Sequence, residues 1–220
     1  MIVIPAIDII GGKAVRLYQG DYKKKEVVGN DILHIAKEFE KNGARYIHLV
    51  DLDGAKKGKL VNKKIIVNLA KELSIPIEVG GGIRSYSEVD ELINSGVSRV
   101  ILGTAALEDE EFVEGVVRDF GEKIAVGVDC KKGYIFTKGW LEESNVHYID
   151  FCIRMEKIGV KNIILTDISK DGTLEGTNIS MVKQLKKYVS INITASGGVR
   201  DYYVIKKLND LEIFGVILGE

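Results

Sequence analysis

Two aspartates close apolar runs at matching places in the two halves of this chain. Asp8 ends Ile4-Pro5-Ala6-Ile7-Asp8 ahead of Gly12, and Asp129 ends Val126-Gly127-Val128-Asp129 ahead of Gly133, 121 positions further on. A carboxylate at the end of a buried run is placed to face a ligand. Two that face one ligand from opposite sides can relocate a proton as base and acid, provided their surroundings separate their pKa values. The competing use of such a pair is to tie down loops by hydrogen bonds. Glycine clusters mark two further places: Gly80-Gly81-Gly82 with Gly103-Thr104, and Gly197-Gly198 with Gly219. At strand ends glycine lets backbone amides approach an anion with no side chain between, and Thr104 or Ser196 can add a hydroxyl donor. A lone Gly-Gly is ordinary turn chemistry, whereas two paired sets imply a ligand with two phosphates.

Other polar residues have weaker claims. Arg84 and Arg200 follow the two glycine sets at equivalent places and serve either an anion or neighbouring loops. Thr166 ends an apolar run and is a candidate for ligand contact, while Asp51 and Asp167 are candidates for orienting loops. Asp171-Gly172-Thr173 has turn chemistry as its minimum meaning. The sole tryptophan, Trp140, lies in Lys138-Gly139-Trp140-Leu141-Glu142, where it can stack on a planar heterocycle or pin its own loop. His34, His48 and His147 share no metal-ligand spacing and are read as structural or surface residues, so no metal site is expected. Cys130 has no positioned histidine in view and is read as an ordinary small residue.

The elements that must position these groups repeat. Leu49-Val50-Asp51 matches Leu165-Thr166-Asp167, Gly82-Ile83-Arg84 matches Gly198-Val199-Arg200, and Ile101-Leu102-Gly103 matches Ile217-Leu218-Gly219, each pair 116 positions apart. Short Ile- and Val-rich runs predict eight buried parallel strands, over 3–7, 46–51, 75–79, 100–102, 124–128, 162–166, 191–195 and 214–218. Segments of helical spacing lie between them, introduced by Asn30-Asp31, Asn62, Ser85, Glu108-Asp109 and Asn178 as caps or acidic first turns. The stretches 11–29 and 131–146 read as long loops in corresponding places, the first carrying Lys23-Lys24-Lys25. Strand and helix alternating through a twofold repeat favour a closed (β/α)8 TIM barrel over an open sheet. Residues 1–220 then form one barrel domain, from a half-barrel over 1–120 and another over 121–220. No residues follow the eighth strand to form an eighth helix, so self-association through that strand is an expectation beside a monomer.

Composition excludes several classes of function. Thirty-one Lys and Arg against 32 Asp and Glu, scattered along the chain, favour neither nucleic acid nor a membrane surface as partner. Two isolated cysteines suggest no disulfide framework, and no leader-like start or spanning apolar run is present, so a cytoplasmic location is expected.

The combination of Ile4-Pro5-Ala6-Ile7-Asp8, Val79-Gly80-Gly81-Gly82-Ile83-Arg84, Lys138-Gly139-Trp140-Leu141-Glu142, Thr166-Asp167-Ile168 and Lys170-Asp171-Gly172-Thr173 resembles the phosphoribosylformimino-5-aminoimidazole carboxamide ribotide isomerases of histidine biosynthesis. The resemblance covers essentially the whole chain. It implies a (β/α)8 enzyme that converts the bis-phosphorylated aminoimidazole carboxamide ribotide from its ribosyl aldose to its ribulosyl ketose form by an Amadori rearrangement, with no cofactor and no metal. The family's base falls on Asp8, its acid on Asp129 and its supporting hydroxyl on Thr166. Its phosphate contacts fall on Gly81, Gly82, Gly103 and Thr104 on one side and Gly197, Gly198 and Gly219 on the other, and Arg84 and Trp140 match its loop residues. The family continues through an eighth helix, a departure here. The cyclase of the next step shares the half-barrel repeat but not the Pro-Ala-Ile-Asp start or the Lys-Gly-Trp loop. Two alternatives stay open: a dual isomerase that also takes phosphoribosylanthranilate, and a weakly catalytic phospholigand-binding module.

Overall fold

A computed structural model describes residues 1–18, 20–173 and 176–219. The first half runs β1 (Ile2–Ile10), β2 (Lys13–Tyr18), β3 (Asp21–Gly29), α1 (Ile32–Lys41), β4 (Ile47–Asp51), α2 (Leu52–Lys57), α3 (Lys63–Glu72), β5 (Ile77–Gly80), α4 (Tyr86–Asn94), β6 (Arg99–Leu102), α5 (Thr104–Glu108) and α6 (Glu110–Phe120). A 3-10 turn over Gly121–Lys123 leads into β7 (Ile124–Lys131), β8 (Tyr134–Thr137), β9 (Glu142–His147), α7 (Tyr148–Ile158), β10 (Asn162–Asp167), α8 (Ile179–Leu185), β11 (Asn192–Ser196), α9 (Tyr202–Asn209) and β12 (Gly215–Leu218).

Eight of these strands pair in parallel in the order β10, β11, β12, β1, β4, β5, β6, β7, and β7 pairs back onto β10 to close a (β/α)8 barrel. All eight coincide with the apolar runs read from the sequence. The two stretches expected as loops are instead antiparallel hairpins, β2–β3 and β8–β9, added to the ends of β1 and β7. The outer strands β3 and β9 are largely exposed and show no apolar alternation, and the inner strands β2 and β8, which bury Ala14, Val15, Leu17 and Ile135, are too short to reveal it alone. The helices follow their caps. Asp31, Ser85, Asp109, Asn178 and Asp201 each accept the amide three residues on, at 2.9–3.3 Å. Asn62 precedes α3 without capping it, because its side chain is committed to Asp51 and Asp53.

Strand side chains alternate between two cores. Outward residues such as Ile47, Leu49, Val79, Val126 and Leu165 pack against Ala36, Leu69, Leu92, Val116 and Met155 of the helices. Inward residues Ile4, Ile101, Ala125, Ile164 and Ile217 fill the barrel. The same alternation turns Asp8, Asp129 and Thr166 inward, two residues beyond Ala6, Gly127 and Ile164, at the carboxyl ends of their strands. Among the described residues no helix is long and apolar enough to cross a membrane.

The loops after β5 and β11 need glycine for a steric reason. Gly81 and Gly82 have φ of +108° and +81°, and Gly197 and Gly198 of +88° and +73°. A Cβ at Gly81 would run into the backbone of Asp51, and one at Gly82 into that of Gly54. Gly115, inside α6, has no atom within 4 Å of a built Cβ and no such need. Gly81→Ala is therefore expected to destabilise the fold by at least ~1–3 kcal/mol. Gly115→Ala should stabilise it by about 0.5–1 kcal/mol. Urea unfolding midpoints of the two variants must move in opposite directions; a Gly81→Ala midpoint at or above wild type would refute the steric argument.

Candidate active site

One cleft occupies the mouth of the barrel, lined by Asp8, His48, Asp129, Trp140, Thr166 and both glycine sets. β1 and β7 are four strands apart in an eight-strand barrel, so the two aspartates stand across the mouth from each other. Each is partly exposed only because it borders the cleft, and barrel wall surrounds it otherwise. Burial penalises the charged form of both. It pushes Asp8 up to about 6, against a smaller opposing pull from His48. Burial raises Asp129 as well, opposed by hydrogen bonds from Trp140 and Thr166 and by His48. The two carboxyls thus share a dry environment but not the same partners.

Thr166 sits beside Asp129 in the β7–β10 register, which explains why its hydroxyl reaches that carboxyl. Trp140 arrives from above. It occupies the turn of the β8–β9 hairpin with φ +69°, an unusual backbone for a residue with a side chain, and its indole N–H donates to Asp129. The indole face lies against Gly20 in the turn of the other hairpin, where a Cβ would have no room. Two further bonds steady this roof: the Lys138 amide donates to Thr104 Oγ1 at 2.9 Å, and the Tyr22 hydroxyl donates to the Leu52 carbonyl at 3.1 Å. Burial first, then Asp8, Asp53 and Asp51, push the Tyr22 phenol up to about 12, so it remains a donor.

The loops beneath are held by a duplicated latch. Asp51 accepts the Gly54 amide at 2.9 Å, the Val61 and Asn62 amides at 2.7 and 2.8 Å and Asn62 Nδ2 at 2.7 Å. Asp167 accepts the Ser169 amide and hydroxyl at 2.9 and 2.6 Å and Asn178 Nδ2 at 2.8 Å. These aspartates orient loops, as their outward phase on the strands requires. Gly81, Gly82, Gly103 and Thr104 border the cleft on one side and Gly197, Gly198 and Gly219 on the other. Arg84 also borders it, yet its guanidinium pairs with Glu108 at 3.3 Å. Arg200 turns to Asp201 at 2.8 Å on the surface. Burial pushes Cys130 up to about 12, leaving an unreactive thiol against Met181. Among the described residues no three His, Cys, Asp or Glu side chains gather as a metal site.

His48 is the residue the sequence reading undervalued. It lies on the cleft wall, 9% exposed, and its Nδ1 meets Glu78 Oε1 at 2.8 Å. The other oxygen of Glu78 accepts Arg99 Nη1 at 3.1 Å. A signal was available: His48 shares the phase of Val50, which pairs with Asp8, so it had to point into the barrel.

Comparison with known proteins matches residues 2–220 to the family described as histidine biosynthesis protein. The chain is 61% identical over its whole length to a protein of Clostridium botulinum (strain Alaska E43 / Type E3), covering 93% of that protein. It is 56% identical to one of Clostridium beijerinckii and 53% to one of Clostridium novyi, covering all of this chain and 92% of each. All three relatives bear the name 1-(5-phosphoribosyl)-5-((5-phosphoribosylamino)methylideneamino) imidazole-4-carboxamide isomerase. With its full-length match, its closed barrel and its two carboxyls facing across the mouth, the chain belongs to the histidine biosynthesis protein family.

Proposed function

We propose that this protein is the isomerase its relatives are named for, and that it converts the bis-phosphorylated aminoimidazole carboxamide ribotide from aldose to ketose. The observation that carries the reading is the pair of inward carboxyls at the ends of opposite strands, with a glycine set on either side of the line between them. Each half-barrel, 1–120 and 121–220, contributes one carboxyl and one glycine set.

An Amadori rearrangement starts with two proton movements, and the resulting enolamine tautomerises. In the first, an acid protonates the ribose ring oxygen as the C1–O bond breaks and the amino nitrogen lone pair forms C1=N. In the second, a base takes the proton from C2; the C–H electrons become C1=C2 and the C1=N pair returns to nitrogen. The enolamine then loses its O2 proton and gains one at C1, giving the ketose. Asp129 is assigned as the acid, because burial favours its protonated form and Thr166 and Trp140 fix its direction. Asp8 is assigned as the base, because a group titrating at about 6 is mostly ionised at neutral pH while remaining more basic than an exposed carboxylate. Gly81, Gly82, Gly103 and Thr104 are assigned to one phosphate, and Gly197, Gly198 and Gly219 to the other. Arg84 and Trp140 are assigned to the rim, the indole also excluding water from Asp129.

Four outcomes follow. Asp8→Asn and Asp129→Asn should each lower kcat by roughly 10² to 10⁴ while ribotide still binds; a near-normal rate in either removes that residue from its role. A base ionising at about 6 makes kcat/KM fall as pH drops through that value. The stability effect has the opposite sign. A folded-state pKa raised from 3.8 to about 6 means that ionised Asp8 costs stability at pH 7, and the cost disappears as pH falls from 6 to below 3.8. Asp8→Asn should accordingly melt above wild type at pH 7 and level with it near pH 3.5; a lower melting temperature at pH 7 would contradict the burial argument. Finally, crystals soaked in inorganic phosphate should show density beside both Gly82 with Gly103 and Gly198 with Gly219. Empty density at both sets would sink the two-phosphate assignment.

A further inference from the structure

The twofold repeat that places Asp8 opposite Asp129 supplies two alike carboxyls, whereas the chemistry needs one base and one acid. Something must break the symmetry. The sequence offset of 116 shows where it breaks inside the barrel. His48, Glu78 and Arg99 lie side by side on β4, β5 and β6, in the registers His48 with Glu78 and Glu78 with Arg99. Their counterparts Ile164, Thr194 and Gly215 lie side by side on β10, β11 and β12 in the same registers. One half of the barrel interior therefore folds with small or apolar residues where the other carries a buried charged row.

Stability does not account for that row. Glu78 is fully buried, and replacing a buried ion network by apolar residues is often neutral or stabilising. The second half already folds without charged groups there. The row also has a direction: Arg99 stacks over Tyr46 and Phe214 at 5.3 and 5.1 Å at the floor, Glu78 links it to His48, and His48 borders the cleft. With Nδ1 committed to a carboxylate, the ring orientation is fixed and Nε2 is left for the cleft. Among the described residues, the ionisable groups that line the cleft with His48 are Asp8 of β1, Arg16 of β2, Tyr22 of β3, Arg84, Asp129 of β7, Lys138 and Asp171, and Glu78 of β5 meets its Nδ1.

Resting on the isomerase reading above, we infer that His48, held by Glu78 and Arg99, is the positioning residue that makes Asp8 rather than Asp129 the base. His48 lies on β4, the strand paired with β1, two residues before Val50, the register partner of Asp8, whereas Asp129 stands on β7, three strands further round the barrel. The pull of His48 on Asp8 opposes burial, while Asp129 has Trp140 and Thr166 to support its charged form and His48 only as a lesser influence. Without it Asp8 holds its proton to higher pH and is unavailable as base on the acid side of neutrality.

The test uses His48→Asn, whose amide can still donate to Glu78. Wild type and variant are compared in melting temperature, in kcat/KM for the ribotide from pH 5 to 9, and in carboxyl-carbon NMR titration, with the Asp8 signal assigned by its loss in Asp8→Asn. The expected result is an Asp8 midpoint raised by about one unit, more than that of Asp129, with kcat/KM about fivefold lower near pH 6 and recovered by pH 9. A loss uniform across pH, or a profile superposable on wild type, overturns the inference. Should His48→Asn not fold, Glu78→Gln, which keeps an acceptor for His48, is read by the same criteria with a shift of the same sign. Wild-type protein that leaves the ribotide unchanged would overturn the isomerase reading, and the NMR titration then decides this inference alone: an Asp8 midpoint unmoved in the variant refutes it.

Discussion

Dehydration of two carboxyls at the top of a closed barrel is the constraint on which the rest of this structure depends. An ionised carboxylate loses favourable hydration when barrel wall surrounds it, and its proton affinity rises. Asp8 and Asp129 both show that rise, and burial is its largest cause in each. The same dryness makes every remaining partner count. In bulk water the pull of His48 on Asp8, or of the Trp140 indole on Asp129, would be small; in the barrel mouth such neighbours weigh more. Two residues of one type are thus given unequal surroundings.

Holding that geometry requires rigid loops over a rigid frame, and the chain solves the problem twice. Asp51 with Asn62, and Asp167 with Asn178, are the same latch at the same offset, each drawing the loop after its strand against the barrel top. Beside each latch a pair of glycines passes so close to the latched backbone that a side chain is excluded, most tightly at Gly81 and Gly82. Backbone amides are thereby left at the mouth, where a phosphate can be received without a displaced side chain. Latch and glycine pair explain each other: the turn is tight because the loop beneath it is fixed.

The two hairpins complete the enclosure. They extend β1 and β7, the strands that carry the aspartates, so the roof is built on the same backbone as the two carboxyls. Trp140 joins the parts, with its indole against the turn of one hairpin, its backbone in the turn of the other and its N–H on Asp129. The left-handed backbone at Trp140 fits a residue whose position is dictated by its contacts rather than by local preference.

Much of this was legible in the sequence. Eight apolar runs, the offset of 116, the caps and the polar strand ends specify a closed barrel with Asp8, Asp129 and Thr166 at its mouth, because strand periodicity and glycine sterics are local properties. The hairpins were not legible, since β3 and β9 are largely exposed with no apolar alternation to read, and the buried strands β2 and β8 are too short to show one alone. The Thr166 bond to Asp129 depends on the pairing of β7 with β10, and the Trp140 bond to Asp129, the latch of Asp51 with Asn62 and the ion pair that turns Arg84 toward Glu108 depend on how loops and neighbouring units pack. His48 is the clearest instance. Alone in its strand it is one polar residue among apolar ones, and it becomes the end of a buried charged row only when β4, β5 and β6 align Glu78 and Arg99 beside it. The sequence by itself determined which groups face inward; the tertiary structure decided which of them touch, because burial and pairing are properties of neighbours that folding chooses.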